Sequence, residues 1–435
     1  MIRLILARGR QFIKSHPLST NYGIDGLLIL GGTSIAANNS NLFAQRLGAG
    51  DFHLSMLQFL PHIINLFLLI PLGLMVDSLT NKRRIISILL IIAGLFFATA
   101  GMSAFVPVHT VYFFLIAVGL ANVSSGGLYN MTWQAFFPEA VSEEGFENRN
   151  AVLTFRARMT MIISLIAPLT VGFVLTRIPS DGGKIVAHQV FYMLAAVLLV
   201  VNSFHLKKIK VVNATTPKRI SMEEIKTAGQ RLVKNKTFIV FTLVIFFFHM
   251  GWHIDWTLFF IGQANYLQMN ELMLSLTPVV GMLAQLITLR FWSRNNAKQG
   301  VEFPLVYGMI GLIASPVAII VGTSLPLSFG PWVFLLLHGI GQLAFANITL
   351  NLFQCLLKVI DSEYRSLFIS VYTCLITLSN AVMPVVGVAI YRNFGADLRA
   401  LQITFGIVLV IRVITVCMWL LRLKFMPTKM QNYNT

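Results

Sequence analysis

The chain has 435 residues, of which 11% are charged and 56% hydrophobic, with a mean hydropathy of +0.75. Soluble domains carry about a quarter charged residues, so this composition excludes a disordered protein, a disulfide scaffold and an ordinary cytosolic enzyme, and leaves a polytopic membrane protein. The net charge of +17 sits in short runs between long apolar segments, which points to an anionic lipid surface and to membrane topology rather than to nucleic acid.

The first 21 residues are basic, with a short apolar core and no small-residue cleavage site, and read as a cytoplasmic helix on the lipid. A helix needs about 20 apolar residues to cross a bilayer. Twelve segments qualify: 22–44, 53–76, 85–105, 110–135, 151–175, 188–206, 238–262, 272–291, 303–323, 332–357, 366–391 and 400–421. None shows the ten-residue alternation of a membrane barrel. With the N-terminus inside, the cytoplasmic loops and tails hold 27 of the 33 Lys and Arg. The outer loops hold five (Arg46, Arg177, Lys184, Arg392 and Arg399), and Arg412 lies within the last span. That asymmetry obeys the positive-inside rule in every loop. Residues 207–237 carry nine Lys and Arg and divide the spans six and six. Within them Ser221 and Glu224 have capping-box spacing, which predicts a short helix whose basic face rests on headgroups. A cytoplasmic tail, 422–435, follows the last span. Cys355, Cys374 and Cys417 all fall in apolar segments, without metal-ligand spacing, and read as small buried hydrophobes.

The two halves echo each other. Gln134 and Gln354, and Gly119 and Gly339, are 220 apart; Arg149 and Arg365, and Pro168 and Pro384, are 216 apart; Pro61 and Pro278 are 217 apart. Matches in order on equivalent helices argue for two parallel six-helix repeats about an axis along the membrane normal, with a solute site between them near the midplane.

Residues 73–84 read GLMVDSLTNKRR. Gly73, Asp77, Lys82 and Arg83 match the loop signature G-x-x-x-D-[RK]-x-G-x-[RK]-[RK], while Ser78 and Thr80 depart from it. On this motif, the span count and the repeat, the whole chain resembles the major facilitator superfamily, and the fifth-span motif Ala167 to Gly172 resembles that of its bacterial exporter-like subgroup. The resemblance implies an all-α membrane fold of 12 helices in two pseudo-symmetric bundles, 22–206 and 238–421, with both termini cytoplasmic. It also implies that Asp77 latches the cytoplasmic gate. Ala167 to Gly172, APLTVG, is similar to the G-P-x-x-G-G of exporters at Pro168 and Gly172. Leu115 stands where the family's proton-antiport motif has arginine, and the equivalent loop of the second half, 290–300, has Arg294 near the place of the aspartate.

Ionisable groups inside spans are costly and mark function by default. The seventh span is richest, with His249, Trp252, His253, Asp255 and Trp256. On a continuous helix His249, Trp252, His253 and Trp256 share a face, with Asp255 turned away from His253. One reading is a proton-linked site, since histidine titrates near neutral pH and a desolvated carboxyl holds its proton more tightly. The other is an outer-end cluster at the headgroup level. Ser34, Asn38, Asn41 and Gln45 form a stripe on the first span, and the repeat places Asn38 opposite Asp255. That stripe reads either as a cavity rim or as helix-to-helix hydrogen bonding. Asp25 lies near the cytoplasmic end of the first span, at the depth of Arg156 and Arg158, which point to opposite faces. A structural ion pair with one of them and a coupling role are both open. The fourth span presents Asn122, Gly126, Tyr129, Asn130 and Trp133 on one face. The tenth carries His338, Gln342 and Thr349 on one face and Asn347, Asn351 and Gln354 on another, and either face suits the cavity. Arg412 is expected to be satisfied by neighbouring helices or to snorkel.

There is no P-loop, nucleophile elbow or HExxH motif, so neither an enzyme nor a cofactor or metal site is expected. The sequence therefore reads as a monomeric secondary transporter of the plasma membrane, moving a small organic solute by alternating access. Proton-linked efflux of an amphipathic compound is the first reading. Uptake of a nutrient, flipping of a lipid-linked substrate and a non-transporting receptor or scaffold are the alternatives.

Overall fold

The computed structural model describes residues 17–37, 39–78, 81–140, 146–209, 222–360 and 365–425. The helices are α1 (Pro17–Ala37), α2 (Ser40–Arg46), α3 (Asp51–Ser78), α4 (Lys82–Gly101), α5 (Thr110–Asn122), α6 (Tyr129–Ala140), α7 (Phe146–Arg177) and α8 (Asp181–His205). Then follow α9 (Met222–Lys234), α10 (Lys236–His253), α11 (Trp256–Ile261), α12 (Glu271–Gln299), α13 (Pro304–Ser324), α14 (Gly330–Val359), α15 (Arg365–Asn393) and α16 (Leu398–Phe425). Among the described residues, ten helical stretches are long and apolar enough to cross a membrane. The α1–α2 pair and α3 stand where the first two spans are expected. The apolar segments become helices because lipid offers no partner for backbone N–H and C=O groups.

Helix starts are set by short polar side chains. Asn81 accepts from Arg84 N, Ser180 from Gly183 N, Asn235 from Phe238 N and Asn270 from Met273 N, each taking up an orphan amide of the first turn. Asn235 also donates to the Val359 carbonyl at 3.0 Å, tying the start of α10 to the end of α14.

The chain divides into two compact units, Met1–Ala49 with Phe67–Arg219, and Gly50–Leu66 with Ile220–Thr435. Each uses the same packing scheme. In the first, α1 packs on α7 and α8, and α4 on α5 and α8; in the second, α10 packs on α15 and α16, and α13 on α14 and α16. Small residues allow the close approaches. Gly311 and Gly341 face each other across α13 and α14, where a Cβ on either would come within 2.6 Å of the other's carbonyl oxygen. Aromatic residues fill the interiors: Phe43, Phe114 and Tyr192 in the first unit, and Phe238, Phe241, Phe368 and Trp419 in the second.

Three expected spans are not continuous α-helices. The first breaks between Ala37 and Ser40, so Ser34 and Asn41 lie on different helices. Asn38 itself lies outside the described residues. The seventh breaks at Ile254–Asp255, 216 residues after the first when Ala37 and His253 are compared, so the repeat extends to its interruptions. The fourth contains a π-helical turn, Val123–Leu128, between α5 and α6. This wider turn rephases the helix. The single face expected for the fourth span is therefore split: Tyr129 and Trp133 are buried, Asn122 is half-buried and Asn130 is exposed.

Candidate functional site

In the first unit the buried carboxylate of Asp25 is the centre of a polar cluster. α1 supplies Asp25, α6 Tyr129, α7 Arg156 and α8 Asn202. Tyr129 donates its hydroxyl to Oδ1 at 3.0 Å, Asn202 Nδ2 donates to Oδ1 at 3.0 Å, and Arg156 Nε donates to Oδ2 at 3.1 Å. Arg156 Nη2 also donates to the Tyr129 oxygen at 3.3 Å. Asp25 is fully buried, whereas the Arg156 side chain keeps 18% of its surface accessible. Its guanidinium lies 4.0 Å from the centroid of the Trp133 ring, which stacks on Phe137 and meets Tyr22 edge-on. Charge-assisted bonds of this kind are strong, and three of them leave the carboxylate well satisfied. Arg158, on the same helix, is exposed.

The second unit holds its own buried pair at the break between α10 and α11. Arg412 of α16 donates from Nη2 to Asp255 Oδ2 at 2.6 Å, and both side chains are almost wholly buried. Asp255 is therefore paired with a buried cation. Arg412 Nε donates to the Gly251 carbonyl at 2.9 Å and Nη1 to the Leu312 carbonyl at 2.6 Å. Both carbonyls lack their ordinary helical donors, the first because the helix breaks at residue 254 and the second because Pro316 has no N–H. Of the two expectations for Arg412, satisfaction by neighbouring helices is the one observed. Beside the break, the rings of His249, Trp252, His253 and Trp256 are grouped, with His253 and Trp256 centroids 4.6 Å apart. His249 Nδ1 and His253 Nε2 lie 3.3 Å apart, and His253 Nδ1 lies 3.0 Å from Ser379 Oγ.

A model of the Major Facilitator Superfamily matches residues 26–359, more than half of the chain. The chain belongs to the Major Facilitator Superfamily. It is thus a secondary transporter and not an enzyme. No match is found among curated proteins. Among solved structures, this superfamily member resembles the nucleoside transporter NupG at 12% identity and a TM-score of 0.71, over 92% of this chain and 99% of that one. It also resembles a bacterial homologue of the iron transporter ferroportin at 13% identity and a TM-score of 0.71, over 93% and 98%. A D-xylose-proton symporter matches at 13% identity and 0.67, over 92% and 96%. These likenesses concern the fold.

The remaining candidates of this MFS protein fall elsewhere. Gly73 and Asp77 lie on α3, and their side chains are outside the described ones. Lys82 is buried at the start of α4, and Arg83 donates to the Ile209 carbonyl at 2.9 Å. Asn41 is half-buried on α2. Gln342 accepts from Gln285 at 2.8 Å, part of a polar seam between α12 and α14. In that seam Thr288 and Trp292 donate to the Leu343 carbonyl, and Asn296 Nδ2 donates to Asn351 Oδ1 at 2.8 Å. Asn351, fully buried, thus bridges the two helices, and it donates to the equally buried Asn347 one turn back on α14. Sequence reasoning did not single out Asn202, Tyr22, Ser379 or Gln285. The pairing of Asp255 with Arg412 was open to a charge argument, because Arg412 is the basic residue inside the last span and a buried cation needs an anion.

Proposed function

We propose that this transporter moves a small amphipathic organic solute across the plasma membrane together with a proton, and that Asp25 is the group the proton visits. One observation carries the reading: Arg156 bridges a fully buried carboxylate and an accessible edge, resting on Trp133. Protonation of Asp25 removes the charge that holds the Nε edge of Arg156. A guanidinium stripped of its anion binds a hydrogen-bond acceptor more strongly. Proton and solute then favour each other's binding, which is the logic of symport. The Asp255–Arg412 pair has its donors committed to the helix break and serves as a brace. Cytoplasmic termini are supported by the 27 of 33 basic residues on one set of loops.

Efflux is a second reading, favoured by Pro168 and Gly172 within α7, the exporter-like pair. Metabolite profiles of cells and medium, with and without the gene, at pH 6 and pH 8, separate the two. A solute left behind in the medium on deletion means uptake, and one that accumulates inside means export. In the symport reading the Asp25→Asn variant transports with a flattened pH dependence; a wild-type pH profile in that variant removes Asp25 from coupling.

A further inference from the structure

Two hydrogen-bonding groups beside the Asp25 centre have no partner among the described residues, and a third, Arg156, is only partly committed. Among the described residues, Trp133 Nε1 and the Tyr22 hydroxyl are buried without a hydrogen-bond partner; Tyr22 is fully buried and Trp133 is 9% exposed. Arg156 uses Nε and Nη2 on Asp25 and Tyr129 and keeps an accessible edge. An indole N–H is only a donor, and a buried donor left unpaired costs about 1–3 kcal/mol. Native structures keep few such atoms, and those they keep call for a partner. The three groups are contiguous: Trp133 stacks under the guanidinium and meets the Tyr22 ring with centroids 6.2 Å apart.

From this donor set we infer that the solute is an organic anion, a carboxylate or similar acid on an apolar body, whose acidic oxygens accept from Arg156, Trp133 and Tyr22. Phe137, stacked on Trp133 with centroids 5.2 Å apart, extends the apolar surface for that body. A neutral solute satisfies the donors less well, and a cation meets Arg156 with like charge. The inference rests on the reading that Asp25 takes the proton. Once it does, Arg156 is a half-buried cation without a counter-charge, and an arriving anion restores neutrality. One proton with one monoanion moves no net charge. Tyr22, Tyr129 and His205 of α8, whose Nε2 lies 3.0 Å from the Asn21 carbonyl oxygen, are further ionisable groups near this end of α1, so the Asp25 variant, and not pH alone, assigns the proton.

The test uses the purified full chain in detergent and equilibrium binding of tritiated 2-naphthoate, 2-naphthamide and 2-naphthylmethylamine at pH 6 and pH 8. The acid is expected to bind at least about tenfold more tightly than its amide, and Trp133→Phe and Tyr22→Phe, which retain an aromatic ring and delete the donor, each to weaken it about fivefold or more. Equal binding of acid and amide, preference for the amine, no binding of any probe, or unchanged acid affinity in both phenylalanine variants overturns the inference. If the acid is preferred but Asp25→Asn keeps the wild-type pH dependence, the anion assignment stands and the proton assignment falls.

Discussion

Arg412 donates from Nη1 to the backbone carbonyl of Leu312 at 2.6 Å, the oxygen that Pro316, four residues on, leaves without a helical donor. The same guanidinium holds Asp255 and the Gly251 carbonyl, so one side chain repairs two interruptions on two helices. Losing it strands a buried carboxylate as well as two carbonyls.

Arg412→Met is therefore expected to destabilise the protein by about 3–5 kcal/mol, the cost of breaking a buried pair. Pro316→Ala returns an N–H to the Leu312 carbonyl. In that background the Arg412→Met penalty should fall by about 1 kcal/mol, and thermal unfolding of the four proteins of the cycle reads the difference. An unchanged penalty means that the Leu312 bond contributes nothing.

Gly387 of α15 lies against the carbonyl of Ile254 at the break in the seventh span, and a Cβ there overlaps that oxygen. Backbone cannot move aside as a flexible side chain does. Gly387→Ala should cost about 1–3 kcal/mol in thermal unfolding. Gly126→Ala, in the π-helical turn, is the control: a Cβ there meets nothing within 4 Å, and stability should stay within about 0.5 kcal/mol of wild type. Equal effects at the two sites refute the packing argument.

Asn351→Leu removes the acceptor of half-buried Asn296 and the donor to fully buried Asn347. The expected loss is about 1–3 kcal/mol. Gln354, one helical turn away and exposed, should tolerate leucine within about 0.5 kcal/mol. A comparable loss at both positions excludes a specific role for the amide seam.

Asn235 caps α10 and holds the Val359 carbonyl. Asn235→Ala should lower stability by about 1–2 kcal/mol, while Asn235→Asp, which keeps the cap and loses the donor, should lose only part of that. Identical losses in the two variants mean that only the bond to Val359 matters.

The spans were readable because the requirement to satisfy backbone groups in lipid is local: some 20 apolar residues suffice to announce a crossing, and the positive-inside bias orders the loops. Each costly polar group was visible one at a time, as Asp25, Arg156, Asp255 and Arg412 show. What no periodicity carried was the choice of partner. Arg156, rather than Arg158, reaches Asp25 because of the way α7 is turned against α1, and Asp255 finds Arg412 across 157 residues of sequence. The breaks at Asn39 and Ile254 and the π-helical turn at Val123–Leu128 reset helical phase, so faces drawn for uninterrupted helices could not hold. Hydropathy depends on composition along the chain and survives such changes. Pairing depends on rotation and on close approach between helices, and only the packed bundle sets those.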